Sequence, residues 1–167
     1  MIVKHFELNK NIAKSNKFFL LYGNNSGLIK EVIKNNLKPN LYQKVFNYDE
    51  SEIINNLNDF KEEILNKSFF ENEKLVIISR STDKIYKIIQ EIIEKKIEDL
   101  AIILISGGLE KKSKLRNLFE KNKSIICIPF YEDNDRSLIS IVQNFLKKKK
   151  IQISNESINL LIQRCGS

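Results

Sequence analysis

The sequence has no tryptophan, one histidine, two cysteines, two prolines, five glycines and only four arginines among 167 residues. The lone His5 has no cysteine or carboxylate cluster beside it, so no Ser/His/Asp or Cys/His set can be assembled. It reads as an isolated surface or half-buried side chain. Cys127 and Cys165 lie far apart and match neither a metal-ligand nor a redox spacing, which fits free thiols in a reducing cytoplasm. Long apolar runs are missing too. The longest, AIILI at 101–105, falls far short of the ~20 residues that cross a bilayer. No N-terminal stretch combines a basic start, an apolar middle and a small-residue cleavage site. These absences describe a soluble, cytoplasmic protein with no membrane partner, no metal and no cofactor.

The scarcity of arginine also bears on the charge. Lys and Arg total 28 against 21 acidic residues, a formal net charge of +7, but 24 of the 28 are lysine. They come with 27 isoleucines and 20 asparagines, the skew that an AT-rich coding sequence produces. Arginine is the side chain best suited to bidentate phosphate and base contacts. Excess lysine alone supports only weak, salt-sensitive attraction to a phosphate backbone. The charge is compatible with a DNA-associated role without specifying one.

What is present is a core. Hydrophobic residues make up 42% of the chain, which excludes disorder as a description of the whole. The length suits one domain and at most the start of a second. Apolar runs at 18–22, 45–48, 75–79, 101–105 and from Ile125 read as strands. Between them apolar residues recur at helical spacing. The first helix carries Leu28, Ile29, Val32, Ile33 and Leu37, with Ser26 as its N-cap and Pro39 as its stop. The second starts at an Asp49/Glu52 capping box and carries Ile53, Leu57, Phe60 and Ile64 on one face. The third, from about Asp83, shows a regular stripe of Ile85, Ile88, Ile89, Ile92 and Ile93. A basic helix with Leu115, Leu118 and Phe119 precedes the fifth strand. Strands that are apolar throughout, joined by helical crossovers, are buried on both faces of a parallel sheet. The expected fold is a doubly wound α/β domain over residues 1–131.

Composition changes at Asp133, Asn134 and Asp135. Two helices are expected beyond this joint. One carries Leu138, Ile141, Val142, Phe145 and Leu146, and closes on Lys147 to Lys150, where cations suit the helix dipole. The other starts near Ser154, with Ile153 and Ile158 as a hydrophobic staple, and places Ile158, Leu161, Ile162 and Cys165 on one face. Residues 132–167 thus form an incomplete helical unit.

The chemistry expected of such a sheet is weak here. A phosphate-binding loop reads GxxxxGK[ST] after the first strand. This chain has Gly23, Asn24, Asn25, Ser26 and Gly27, followed by Leu28 where the lysine belongs and Ile29 where the magnesium-binding hydroxyl belongs. The loop is degenerate and is not expected to bind nucleotide. The third strand runs into Arg80, Ser81 and Thr82 with no acid until Asp83, which reads as a helix cap rather than a magnesium ligand. Catalytic residues are therefore not expected. A different feature lies in NKSFFENEK at 66–74. Adjacent Phe69 and Phe70 point in different directions, so both cannot fill one core face. Either one plugs the core and the other is partly exposed, or the pair forms an aromatic protrusion for a partner's pocket.

The order of these signals resembles the delta subunit of the bacterial DNA polymerase III clamp loader. The stretches that carry the likeness are FFLLYGNNSGLIKEVI, NKSFFENEKLVIISR, IILISGGLEKKSKLRNLFEK and IICIPFYEDNDRSLISIV, spanning about residues 16–165. The resemblance implies an AAA+-like five-stranded parallel sheet over 1–131 with a non-functional phosphate loop. A partial helical lid domain over 132–167 follows, with the family's collar domain lacking, as in a fragment. It implies a noncatalytic subunit of the replicative polymerase that binds and helps open the sliding clamp. Ser68, Phe69 and Phe70 match the family's small-hydrophobic-Phe clamp-contacting motif, with Phe69 where the family more often has Leu. The other loader subunits become partners if a collar exists in the full-length protein, and DNA is a further partner. The competing reading is a basic α/β nucleic-acid-binding module with no clamp partner, whose patch is the helix holding Lys111, Lys112, Lys114 and Arg116.

Overall fold

The computed structural model describes residues 1–8, 10–41, 44–65 and 74–165. Five strands form one parallel sheet in the order β2-β3-β4-β1-β5: β1 (Phe18–Gly23), β2 (Lys44–Asp49), β3 (Lys74–Ser79), β4 (Leu100–Ser106) and β5 (Ile126–Phe130). Leu20 of β1 lies in register between Leu104 of β4 and Cys127 of β5. On the far side Ile77 of β3 is level with Asn47 of β2 and Ile103 of β4. The period-2 alternation of strand side chains sorts the core into two layers. Phe18, Leu20, Tyr22, Val76, Ile78, Ile102 and Leu104 enter one layer, and Phe19, Leu21, Leu75, Ile77, Ala101 and Ile103 enter the other. The inner strands need apolar residues at every position because both faces are covered. Each buried Leu or Ile there contributes about 1.5–3 kcal/mol. β2, at the edge, is only half-buried.

One layer is covered by α4 (Glu50–Asn55), α5 (Leu57–Leu65), α6 (Tyr86–Glu94) and α7 (Lys114–Lys121), through Ile53, Phe60, Ile64, Ile89, Leu115 and Phe119. The other is covered by α1 (Lys10–Ser15) and α2 (Ser26–Val32), with Ile29, Val32, Ile33 and Leu37. The expected helix over Ile53 to Ile64 is two. Asn56, at φ −127°, interrupts it, yet Ile53, Phe60 and Ile64 remain on the buried face. The expected stop at Pro39 also shifts. A π-helical stretch (Ile33–Leu37) follows α2, and the Lys38 N–H donates to Ile33 O, five residues back. A short α3 (Lys38–Leu41) continues the run through Pro39.

The chain divides into two compact units, Met1–Tyr131 and Glu132–Ser167. The second contains α8 (Asp135–Lys149) and α9 (Asn155–Cys165). Asn134 and Ser137 form a reciprocal capping box at the start of α8, and Ser154 Oγ accepts from Ser157 N–H at the start of α9. The half-buried side of α8 is Leu138, Ile139, Val142 and Leu146, whereas Ile141 and Phe145, expected on the same face, are exposed. In α9 Ile158 is buried, Ile162 half-buried and Leu161 exposed. No helix among the described residues is long and apolar enough to cross a membrane.

Candidate functional site

In a parallel sheet of this kind the C-terminal ends of the strands are where ligands are held. Gly23 ends β1 with φ +135°, and its N–H donates to Gly107 O at 3.1 Å. A Cβ there would stand 1.9 Å from Phe130 O of β5. The glycine is required by that close approach of β5. Asn25, rather than Ser26, caps α2: its Oδ1 accepts from Leu28 N–H at 3.1 Å. Ser26 N–H donates to Asn24 O, tightening the turn. Gly27 has no such demand, since a Cβ would meet only Asn25 Oδ1 at 3.8 Å. Ile29 is 2% exposed and belongs to the core, and Leu28 packs against the same cluster. The positions of a loop lysine and a metal-binding hydroxyl are thus part of the hydrophobic layer.

The end of β3 is occupied by the protein's own bonds. Arg80 adopts φ +56°, a left-handed backbone that a non-glycine residue seldom takes. Its guanidinium pairs with Asp49. Asp49 caps α4 by accepting from Ser51 N–H and from Ser51 Oγ. Those Ser51 bonds, joined by Arg80, hold its carboxyl below the usual range. Glu50, buried at 7% exposure, accepts from Thr82 N–H at 2.6 Å and from Thr82 Oγ at 2.9 Å. Ser81 N–H donates to Ile105 O, and Ser106 Oγ donates to Ser81 O at 2.6 Å. The clasp between β2 and β3 had no sequence signal beyond the capping box, because Glu50 and Thr82 are distant in the chain.

Asp83 is a cap, but of a different helix from the one expected. Its carboxylate accepts from Ser113 Oγ at 2.6 Å, Leu115 N–H at 2.9 Å and Lys114 N–H at 3.0 Å, closing the N-terminus of α7. Thr82 caps its own turn instead, by accepting from Lys84 N–H. Burial alone would push the Asp83 carboxyl up. The Ser113, Leu115 and Lys114 bonds outweigh that and hold it down.

The expected basic patch is redrawn. Arg116 lies 4.9 Å over the Tyr22 ring, pairs with Glu120 at 2.7 Å and donates to Leu109 O at 2.9 Å. It is a bracket between α7 and β1, not a surface cation. Lys111 and Lys112 precede α7 and are exposed, as is Lys114. Burial, above all, pushes the Tyr22 hydroxyl beneath Arg116 up to about 12. His5 is half-buried and stacks on Phe130, with ring centroids 6.0 Å apart. Cys127 is a buried free thiol, pushed up to about 12 by burial. No group of three or more His, Cys, Asp or Glu suited to a metal occurs among the described residues. Ser68, Phe69 and Phe70 lie outside the described residues, between α5 and β3 in the chain.

No family model matches the chain, and no curated protein matches it. Among solved structures the chain is similar to the DNA clamp loader delta protein of Bacillus subtilis, with TM-score 0.64, 15% identity and 92% of this chain covered. The chain spans about half, 49%, of that protein. It is also similar to domain III of the replication initiation protein DnaA of Thermotoga maritima, with TM-score 0.47, 16% identity, 93% of this chain covered and 71% of that chain. The fold is AAA+-like: a five-stranded parallel sheet in the order 2-3-4-1-5 with helices on both faces.

Proposed function

We propose that this chain is the clamp-gripping part of a noncatalytic subunit of a sliding-clamp loader, acting in the cytoplasm during DNA replication. The observation that carries this reading is an AAA+-like sheet whose nucleotide positions are given over to packing: Ile29 is in the core and Leu28 lies against it. A chain with this fold, with no lysine or hydroxyl at those positions and no carboxylate closing β3, lacks the groups that hold phosphates and magnesium. The likeness in fold to a clamp loader delta protein supports the same reading.

In this reading Ser68, Phe69 and Phe70 make the contact. Two aromatic rings entering an apolar pocket supply the buried area that dominates such interfaces, while the polar neighbours form a rim. The sliding clamp is the partner. Other loader subunits are partners if a collar domain exists in the full-length protein. The test is co-elution of the purified chain with the sliding clamp of its own organism on a sizing column. A stable complex is the expected outcome. Two separate peaks at micromolar concentrations would reject it. The basic-module reading loses its strongest residue, because Arg116 is committed to Glu120, Tyr22 and Leu109.

A further inference from the structure

We infer that the groove between the end of α8 and the start of α9 binds a short, extended, acidic peptide segment of a partner protein, anchored by an aliphatic side chain. The groove encloses about 590 Å³ and belongs wholly to the unit at Glu132–Ser167. Its floor is Leu146 of α8, half-buried, and Ile158 of α9, buried. Between the helices Ile151 and Ile153 line it while 50% and 37% exposed. The path of the chain opens it. Lys150 takes a left-handed backbone at φ +57°, and Lys150 N–H and Ile151 N–H both donate to Leu146 O, so the chain turns sharply out of α8.

Charge selects the occupant. Lys147 and Lys150 line the groove, and Lys148 and Lys149 lie between them in the chain. Leu146 O and Lys147 O at the end of α8 are closed by backbone donors, so they do not occupy the ammonium groups. None of the four lysines enters an ion pair among the described residues. Glu132, Asp133 and Asp135 lie at the other end of α8, with Asp135 about 21 Å from Lys149 along the axis. Glu156, in the first turn of α9, is not among the walls. The rim is therefore a positive edge without a paired carboxylate.

The amides choose among anions. Gln143, Gln152 and Asn155 complete the walls, and their side chains make no hydrogen bond among the described residues. Each offers donors and an acceptor. The backbone of an extended peptide presents N–H and C=O in alternation and uses both. A phosphate accepts only and leaves the amide oxygens idle. A nucleic-acid base gains most by stacking on an aromatic ring, and none lines this groove. Its aliphatic floor instead takes a branched apolar side chain.

The groove shares no residue with the proposed clamp contact, so either can fail alone. The test is anisotropy of a short labelled peptide, glutamates alternating with isoleucines, added to the full chain at low salt. Lys147→Gln with Lys150→Gln should weaken binding about tenfold. Replacing the peptide's isoleucines by glutamine should also weaken it at least about tenfold, because the anchor is lost. That arm leaves the protein unchanged and so does not depend on a variant's folding. Lys147→Arg with Lys150→Arg should stay within about threefold of wild type. So should Lys84→Gln with Lys87→Gln, which removes two exposed charges from the other unit. Thermal unfolding checks that each variant is folded. No wild-type binding, equal loss in the Lys84 and Lys87 variant, full retention by the glutamine peptide, or displacement by oligothymidylate as readily as by unlabelled peptide would each overturn the inference.

Discussion

At the C-terminal ends of the strands, polar side chains meet one another. In the unit at Glu132–Ser167, apolar side chains meet water. Asp49, Glu50, Arg80, Thr82, Asp83 and Ser106 are joined in hydrogen bonds or ion pairs that link β2, β3, β4 and α7. By contrast Ile141, Phe145, Leu160 and Leu161 of α8 and α9 are all more than 45% exposed (52%, 57%, 51% and 46%). A side chain spent on holding two strands together is not free to hold a ligand. The first region therefore contributes stability at the position where this fold elsewhere contributes chemistry, and the second has surface to spare. Substitutions at the strand ends should accordingly change unfolding free energy, with large effects where backbone or buried charge is involved.

The largest effect is expected at Gly23. A methyl group there meets Phe130 O at 1.9 Å on a left-handed backbone. Gly23→Ala should cost more than about 4 kcal/mol in urea unfolding, in the range reserved for gross backbone conflict. A loss below about 1 kcal/mol would mean that β1 and β5 are not in such close approach. Next is Glu50→Ala, which removes the buried carboxylate that accepts from Thr82 N–H and Thr82 Oγ; about 1–3 kcal/mol is expected from the same measurement, the range for hydrogen bonds to a charged group.

Asp83→Ala removes the acceptor of Ser113 Oγ, Lys114 N–H and Leu115 N–H at the start of α7, where Ser113 remains the N-cap, and should cost about 1 kcal/mol at neutral pH. The pH dependence has a fixed sign. The Asp83 carboxyl is held below its ordinary value. Its contribution is therefore present above about pH 4, the unfolded value, and is lost as pH falls through the lower folded value. The gap between wild type and Asp83→Ala should close in acid, as followed by unfolding at a series of pH values. The smallest effect is that of Mg-ATP. Millimolar nucleotide should leave the melting temperature unchanged, whereas occupancy at a hundred times the dissociation constant would add ~2.7 kcal/mol. A shift of several degrees in a thermal scan would restore the loop as a nucleotide site.

The strands were legible because residues buried on both faces of a sheet must be apolar without interruption, and 18–22, 75–78 and 101–105 are. Their ends extend by a residue or so, since Lys74 and Ser106 keep ladder pairing with polar side chains. The stripe of isoleucines at 85–93 was legible for the matching reason: Ile85, just before α6, and Ile89 and Ile92 within it are buried, and Ile88 and Ile93 flank them. The interruption at Asn56 was not, because the apolar spacing runs through it unbroken. The role of Asp83 was half legible. An acid after a strand reads as a cap, but only folding brings it to α7 rather than to the turn it begins. Arg116 was misread as surface charge because nothing in KKSKLRNLFEK tells that its guanidinium lies on Tyr22. Ser68, Phe69 and Phe70 stand on sequence alone.

The central claim rests on that aromatic pair, and one paired measurement addresses it. Clamp affinity by calorimetry and thermal unfolding are recorded for the wild-type chain and for Phe69→Ala with Phe70→Ala. Anchors of this type cost at least 2 kcal/mol on truncation, so affinity should fall about 30-fold or more while the melting point stays near wild type. Unchanged affinity, or a double mutant that loses the ~3–5 kcal/mol per ring of a buried phenylalanine and unfolds, would contradict the account.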